Sequence, residues 1–134
     1  MITNKTTFLL MRLAIGMSFF GHGLVRLPKI RTFSDGIVEM FQDAMIPLVL
    51  VRYFTLVLPV VEFSVGLLIL VGLFTRQALA AGAVVMLFLI FGTTLIENWG
   101  GIPSQLIHAF FFAVLISHLQ HNSRALDHVL RPRA

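Results

Sequence analysis

The sequence predicts an all-α fold: a transmembrane four-helix bundle with a short amphipathic interfacial helix between spans 1 and 2. Hydrophobic residues make up 57% of the 134 residues, charged residues only 12%, and the mean hydropathy is +0.92. Soluble proteins carry about 25% charged residues. The apolar residues form four runs that lack the polar face of a soluble helix. The second run carries a carboxylate, Glu62, near its middle.

Charge and cysteine content restrict the classes of function. The net charge of +4 and the pI near 10.8 would suit a nucleic-acid-binding protein. The basic residues instead stand at the ends of the apolar runs, where they contact lipid headgroups. We therefore expect the lipid bilayer as a partner and no nucleic acid. The absence of cysteine excludes disulfide exchange and thiolate metal sites. No spacing motif predicts a metal site.

The first predicted span covers residues 8–25, near the minimum length for crossing a bilayer. Because Arg12 interrupts this run and no small-residue cleavage site follows it, we expect a retained helix rather than a signal peptide. Pro28 is expected to end the helix. An amphipathic helix at the membrane interface is predicted over residues 34–45, with Ser34 as its N-cap.

Three further spans follow in the same single domain, which covers residues 1–134. They are predicted over residues 49–74, 77–96 and 104–119. Pro59 is expected to bend the second span one turn before Glu62. A tight turn at Thr75 and Arg76 is expected between the second and third spans. Residues 120–134 form a polar, basic tail.

The distribution of basic residues predicts the orientation. Four spans put both termini on one side. Apart from Arg12 and Arg52, which lie within the first two spans, five Lys and Arg residues fall on that side: Lys5, Arg76, Arg124, Arg131 and Arg133. The opposite side has three: Arg26, Lys29 and Arg31. Since cytoplasmic segments are richer in Lys and Arg, we expect cytoplasmic termini and a location in the cytoplasmic (inner) membrane.

The polar and small residues of the first two spans share single helix faces. In the second span they recur at spacings of three and four: Arg52, Thr55, Pro59, Glu62 and Gly66. The first span has a corresponding face: Arg12, Gly16, Phe19, Gly23 and Arg26. An ionised group at membrane depth costs about 2.5–3.5 kcal/mol, so Glu62 requires a partner, a proton or a function.

These faces predict a polar pocket inside the bundle, around Glu62. Its candidate ligand-binding or buried polar residues are Arg12, His22, Arg52, Glu62 and His108. Two arginines and two histidines beside a carboxylate can bind an anion or the oxygens of a quinone, or relay a proton. A structural alternative stays open: Glu62 pairs with Arg12 or Arg52 only to hold the helices in register. The histidines can equally be hydrogen-bonded residues near the membrane interface.

Two segments resemble a known family. The first, LLMRLAIGMSFFGHGLVRL from Leu9 to Leu27, resembles the first helix of DoxX-type membrane proteins. The second, VEFSVGLLILVGLFTR from Val61 to Arg76, resembles the second helix of that family. The resemblance implies a four-helix integral membrane protein, and many such proteins have no known activity. The polar positions that match the family pattern are Arg12, His22, Arg26, Glu62 and Arg76.

The resemblance also implies a redox context. The family takes its name from subunits associated with terminal quinol oxidase and thiosulfate:quinone oxidoreductase, and other members are linked to oxidative-stress complexes. A quinone is therefore the candidate cofactor, without a catalytic role assigned to any residue. Three functions stay open. One is a redox-associated subunit that binds a quinone or a small sulfur oxyanion. Another is a non-enzymatic scaffold in a homo-oligomer or in a hetero-complex with membrane or redox proteins. The third is a small-molecule or proton carrier, which the lack of an inverted repeat disfavours.

Overall fold

The structure, a computed structural model, describes residues 4–130, and this part of the chain is helical without any strand. Two short 3-10 helices, Leu27–Lys29 and Leu119–His121, connect α-helices. The α-helices are α1 (Lys5–Arg26), α2 (Ile30–Met40), α3 (Leu48–Val71), α4 (Thr75–Leu95), α5 (Ile102–Ser117) and α6 (Leu126–Leu130). The all-α prediction is confirmed. Arg131 and Arg133 of the predicted tail lie outside the described residues.

Three helical segments in the described chain are long and apolar enough to cross a membrane: α1 with its continuation into α2, α3, and α4. The apolar helix α5 has 16 residues and is shorter. The four long helices begin and end within three residues of the predicted spans. The crossing by α5 and the interfacial position of α2 stay predictions.

Glycines allow α1 and α3 to pack at very short range. Gly23 lies against the backbone of Phe63, and Gly66 lies against the backbone of Phe20. A Cβ atom at either glycine would overlap that facing backbone. Since later residues of α1 meet earlier residues of α3, the two helices are antiparallel. Small residues allow this close approach between membrane helices.

All four long helices contribute to one apolar core. Phe19 of α1 packs edge-on against Phe112 of α5, with ring centroids 5.0 Å apart. Gly82 of α4 leaves the space that the Phe112 ring occupies. The fully buried core side chains are Phe8, Phe19, Ile69, Leu79, Phe112 and Leu115. The helices pack in cyclic order, with α1 against α3, α3 against α4, α4 against α5, and α5 against α1.

The helix α2 packs on the first half of α3. Ser34 and Thr55 are both buried, and their hydroxyl oxygens lie 2.7 Å apart. One turn away, Arg52 Nη1 donates to Asp35 Oδ1 at 2.6 Å. The prediction that Ser34 caps this helix is wrong, because α2 begins at Ile30 and Ser34 lies within it. The buried hydroxyl holds α2 on α3 instead.

The turn between α3 and α4 spans residues 72–74, before the position predicted for it. Gly72 adopts φ 72°, and the amides of Gly72 and Leu73 both donate to the carbonyl of Leu68. A side chain on Gly72 would overlap the guanidinium of Arg12. Glycine is therefore required here by both conformation and space.

The C-terminal segment caps α4. The Asp127 carboxylate accepts hydrogen bonds from the backbone amides of Phe74 (2.7 Å) and Thr75 (2.9 Å). The amide of Asp127 in turn donates to the carbonyl of Gly72 at 3.0 Å. A carboxylate at a helix N-terminus accepts hydrogen bonds from otherwise unpaired amides and interacts favourably with the positive end of the helix dipole. This contact therefore stabilises both α4 and the C-terminal segment.

Replacement of Gly66 by alanine should destabilise the protein by about 1–3 kcal/mol, because the new methyl group forces α1 and α3 apart. The matched control is Gly21→Ala on α1, where a Cβ meets nothing within 4 Å. That control should be neutral or stabilising by up to about 1 kcal/mol. The free energy of unfolding in detergent, measured by denaturation followed by circular dichroism, compares the two. Equal losses would contradict the packing described above.

Replacement of Asp127 by alanine should cost about 1–2 kcal/mol of stability, as the loss of a helix cap does. The control Asp43→Ala removes an exposed carboxylate between α2 and α3 and should change stability by less than about 0.5 kcal/mol. The same denaturation assay measures both variants. If Asp127→Ala behaves like Asp43→Ala, the C-terminal segment does not hold α4.

Candidate functional site

The carboxylate of Glu62 forms an ion pair with Arg26. Glu62 lies in α3 and is 2% exposed. Arg26, the last residue of α1, donates from Nη1 to both carboxylate oxygens, at 2.8 and 2.7 Å. Its guanidinium carbon lies 4.6 Å from the centroid of the Phe33 ring in α2, a cation–π contact. Three helices therefore meet at this one ion pair.

The pairing of Glu62 with Arg12 or Arg52, one of the alternatives drawn from the sequence, is wrong. The antiparallel register of α1 on α3 places the end of α1 opposite Glu62. Arg12 lies 14 residues before Arg26, about 21 Å along a helix that rises 1.5 Å per residue. Arg52 lies in the same helix as Glu62 and pairs with Asp35.

Arg12 instead anchors the C-terminal segment at the opposite end of the helices. It is 3% exposed. Its Nη1 donates to Asn122 Oδ1 at 3.1 Å and its Nη2 to the carbonyl of Arg124 at 2.9 Å. Asn122 Nδ2 donates to Thr75 Oγ1 at 3.1 Å. The contacts of Arg12 thus join α1, the tail and the start of α4.

A cavity of about 550 Å³, hereafter the chamber, lies beside the Glu62–Arg26 pair and beneath α2. Drug-sized ligands occupy pockets of about 300–1,000 Å³. Its wall is mainly apolar and includes six phenylalanines: Phe19, Phe33, Phe41, Phe54, Phe88 and Phe91. Its polar lining comes from all four long helices and the α4–α5 loop: His22, Arg26, Thr55, Glu62, Thr93, Asn98, Ser104, Gln105 and His108. The chamber can therefore enclose an amphipathic small molecule.

The imidazole of His108 is held at both nitrogens. Its Nδ1 lies 2.7 Å from the carbonyl oxygen of Ser104, which can only accept, so Nδ1 carries the proton. Its Nε2 lies 2.8 Å from Ser18 Oγ on α1 and accepts from that hydroxyl in the neutral ring. His108 therefore positions α5 against α1, and a ligand would have to displace one of these contacts to bind it.

Two chamber residues with unused hydrogen-bonding capacity are His22 and Gln105. The His22 ring lies 6.1 Å from the His108 ring and makes no hydrogen bond within residues 4–130. Gln105 Nε2 donates to Thr93 Oγ1 at 2.7 Å, which joins α5 to α4. Its Oε1 is buried and has no partner among the described residues. These two side chains can bind the polar part of a ligand.

Of the five candidate site residues, His22, Glu62 and His108 line the chamber, whereas Arg12 and Arg52 do not. Gln105 was not predicted from the sequence, and Arg26 was not assigned to the pocket. A signal for Gln105 was present, since it precedes His108 by three positions and so shares its helix face.

The fold and the chamber define the class of protein: a membrane protein of apolar helices with a polar and aromatic chamber between them. Residues 7–95 match the model of the DoxX family, and the chain belongs to that family. The matched segment contains His22, Arg26 and Glu62 but ends with α4, so Gln105 and His108 lie beyond it. No curated protein and no solved structure matches the chain.

Arg26→Gln should lower the free energy of unfolding by about 3 kcal/mol, because it leaves the buried Glu62 carboxylate without a countercharge. Arg52→Gln is the control, since it breaks an ion pair whose side chains are 47% and 64% exposed. An exposed pair contributes less than about 1 kcal/mol. Chemical denaturation in detergent measures both. The double variant Arg26→Gln with Glu62→Gln should recover most of the loss, and no recovery would contradict a direct pair.

Proposed function

We propose that this protein is a DoxX-type integral membrane subunit that binds a quinone in the chamber and serves a quinone-linked redox or oxidative-stress complex. The supporting observation is the combination of a largely aromatic wall with a few polar groups beside the Glu62–Arg26 pair. Binding sites for small molecules combine apolar walls with a few well-placed polar groups in this way.

The chamber residues suit the chemistry of a quinone ring. Aromatic rings such as those of Phe19 and Phe33 pack favourably against a flat ring. His22 can donate to a quinone carbonyl, and Gln105 Oε1 can accept from a hydroxyl of the reduced quinol. His22 would then gain a hydrogen bond to the oxidised ring, and Gln105 would gain one from the reduced ring, so each redox state meets a group that the protein itself leaves without a partner.

The charge balance favours a neutral ring over the alternative of a small sulfur oxyanion. Among the described residues that line the chamber, the charged side chains of the Arg, Lys, Asp and Glu types are Arg26 and Glu62. Their formal charges cancel. An anion would have to compete with Glu62 for the guanidinium. It would also lose its hydration without a matching positive charge.

A bound quinone would supply two-electron, two-proton redox chemistry. The residues of this chain would bind the ring, orient it and exclude water from it. Because the sequence holds no cysteine, the chain cannot carry a thiolate-bound iron–sulfur cluster. We therefore propose a partner redox protein, in a hetero-complex, as the source or acceptor of electrons.

We also propose a membrane placement. In it, α5 is the fourth span and the termini are cytoplasmic, as the five-to-three distribution of basic residues favours. The exposed charged residues of α2 would lie at the outer membrane–water boundary: Arg31, Asp35 and Glu39. The chamber beneath α2 would then lie in the outer half of the bilayer.

Binding of a ubiquinone ring without an isoprenoid tail to the protein in lipid nanodiscs tests this function. Titration calorimetry should give a saturable Kd for the oxidised ring, and His22→Ala should raise it about tenfold through loss of one hydrogen bond. Gln105→Leu should raise the Kd of the reduced ubiquinol ring about tenfold, because only that state can donate to Gln105 Oε1. The control is His118→Ala, because His118 bonds to the carbonyl of Val114 and does not line the chamber. No saturable binding, or equal effects of His22→Ala and His118→Ala, would overturn the proposal.

A further inference from the structure

Polar contacts close three of the four helix–helix seams around the chamber. Arg26 and Glu62 join α1 to α3, at 2.7 Å. Ser18 and His108 join α1 to α5, at 2.8 Å. The third polar contact, between Thr93 of α4 and Gln105 of α5, measures 2.7 Å.

The fourth seam, between α3 and α4, is different. No hydrogen bond joins these two helices within residues 4–130, and the chamber-level contact is between the rings of Phe54 and Phe88, 6.2 Å apart. Both rings line the chamber and are accessible to a considerable extent, 36% for Phe54 and 58% for Phe88. The chamber is therefore separated from the outside at this seam by hydrocarbon side chains alone.

The surface outside this seam is apolar as well. Leu50 and Phe91 also line the chamber and are 57% and 60% exposed. In a membrane such a surface contacts acyl chains rather than water. In the cyclic order of helices, α1 and α5, which carry His22 and Gln105, lie opposite this seam. A ligand bound to those two groups would thus have its far end at the α3–α4 seam.

We propose that the α3–α4 seam is a lateral portal from the bilayer into the chamber, with Phe54 and Phe88 as its gate. The ligand class that follows is a membrane-soluble amphiphile: a polar ring held in the chamber and an apolar tail that lies in the portal. This inference rests on the proposed function and deepens it, since it requires an isoprenoid-tailed quinone rather than a water-soluble ring. A charged or strongly hydrated tail is excluded, because the portal offers it no hydrogen-bond partner.

The test compares two probes in nanodiscs, the tail-less ubiquinone ring and ubiquinone with two isoprene units. The tail should lower Kd, because it fills the portal. Phe88→Trp, which overfills the gate, should raise the Kd of the tailed probe about tenfold more than the Kd of the tail-less probe. The matched control is Leu87→Trp, at the neighbouring position of α4, which is 65% exposed and does not line the chamber. It should affect neither probe.

The outcomes separate the two proposals. If the tail-less ring binds but the tail adds nothing, or Phe88→Trp acts like Leu87→Trp, the portal is overturned and the chamber remains the binding site. If neither probe binds, the proposed function fails and the portal fails with it. Both substitutions lie on exposed positions, and an unchanged thermal midpoint in each variant excludes misfolding as the cause.

Discussion

The structure depends on the neutralisation of one carboxylate at membrane depth. Glu62 is almost fully buried, and an isolated charge there would be costly. Arg26 satisfies both carboxylate oxygens from the last position of α1. Because α1 ends at this residue, the chain can turn there, and α2 then packs along α3 above the pair. The ion pair thus lies where α1 ends, just before Pro28, and beside the chamber.

The same arrangement explains how α2 is held over the chamber. Three successive residues of α2 make three different contacts: Phe33 lies under the Arg26 guanidinium, Ser34 meets Thr55, and Asp35 pairs with Arg52. One contact reaches α1 and two reach α3. Since the Arg26 contact involves the same guanidinium that neutralises Glu62, the position of α2 is coupled directly to the buried ion pair.

The positions of the long helices could be predicted from the sequence, because the length and composition of an apolar run largely determine where a membrane protein forms a helix. It was also sufficient to predict that Glu62 needs a partner. The identity of the partner depended on the register between α1 and α3. Glycine packing determines that register, and the polar faces of separate helices do not reveal it. The polar faces suggested Arg12 and Arg52 as partners of the acid, whereas Gly23 and Gly66 bring Arg26 to it. The binding of Arg12 by Asn122 and Arg124 could not be predicted, because it requires the tail to fold back.

The two ends of the bundle differ in how their buried polar groups are satisfied. At the Arg12 end, side chains of the tail and of α4 supply the partners: Asn122 binds both Arg12 and Thr75, and Asp127 caps α4. At the Glu62 end, the ion pair is complete, yet His22 and Gln105 retain unused capacity within the described chain. A buried polar atom without a partner carries a free-energy cost, so the position of Gln105 Oε1 beside the chamber favours a partner from outside the chain. At the Arg12 end one buried atom, Arg12 Nε, is also without a partner among the described residues, but Arg12 does not line the chamber. What distinguishes the Glu62 end is therefore a cavity from which a ligand could reach the unpartnered atom.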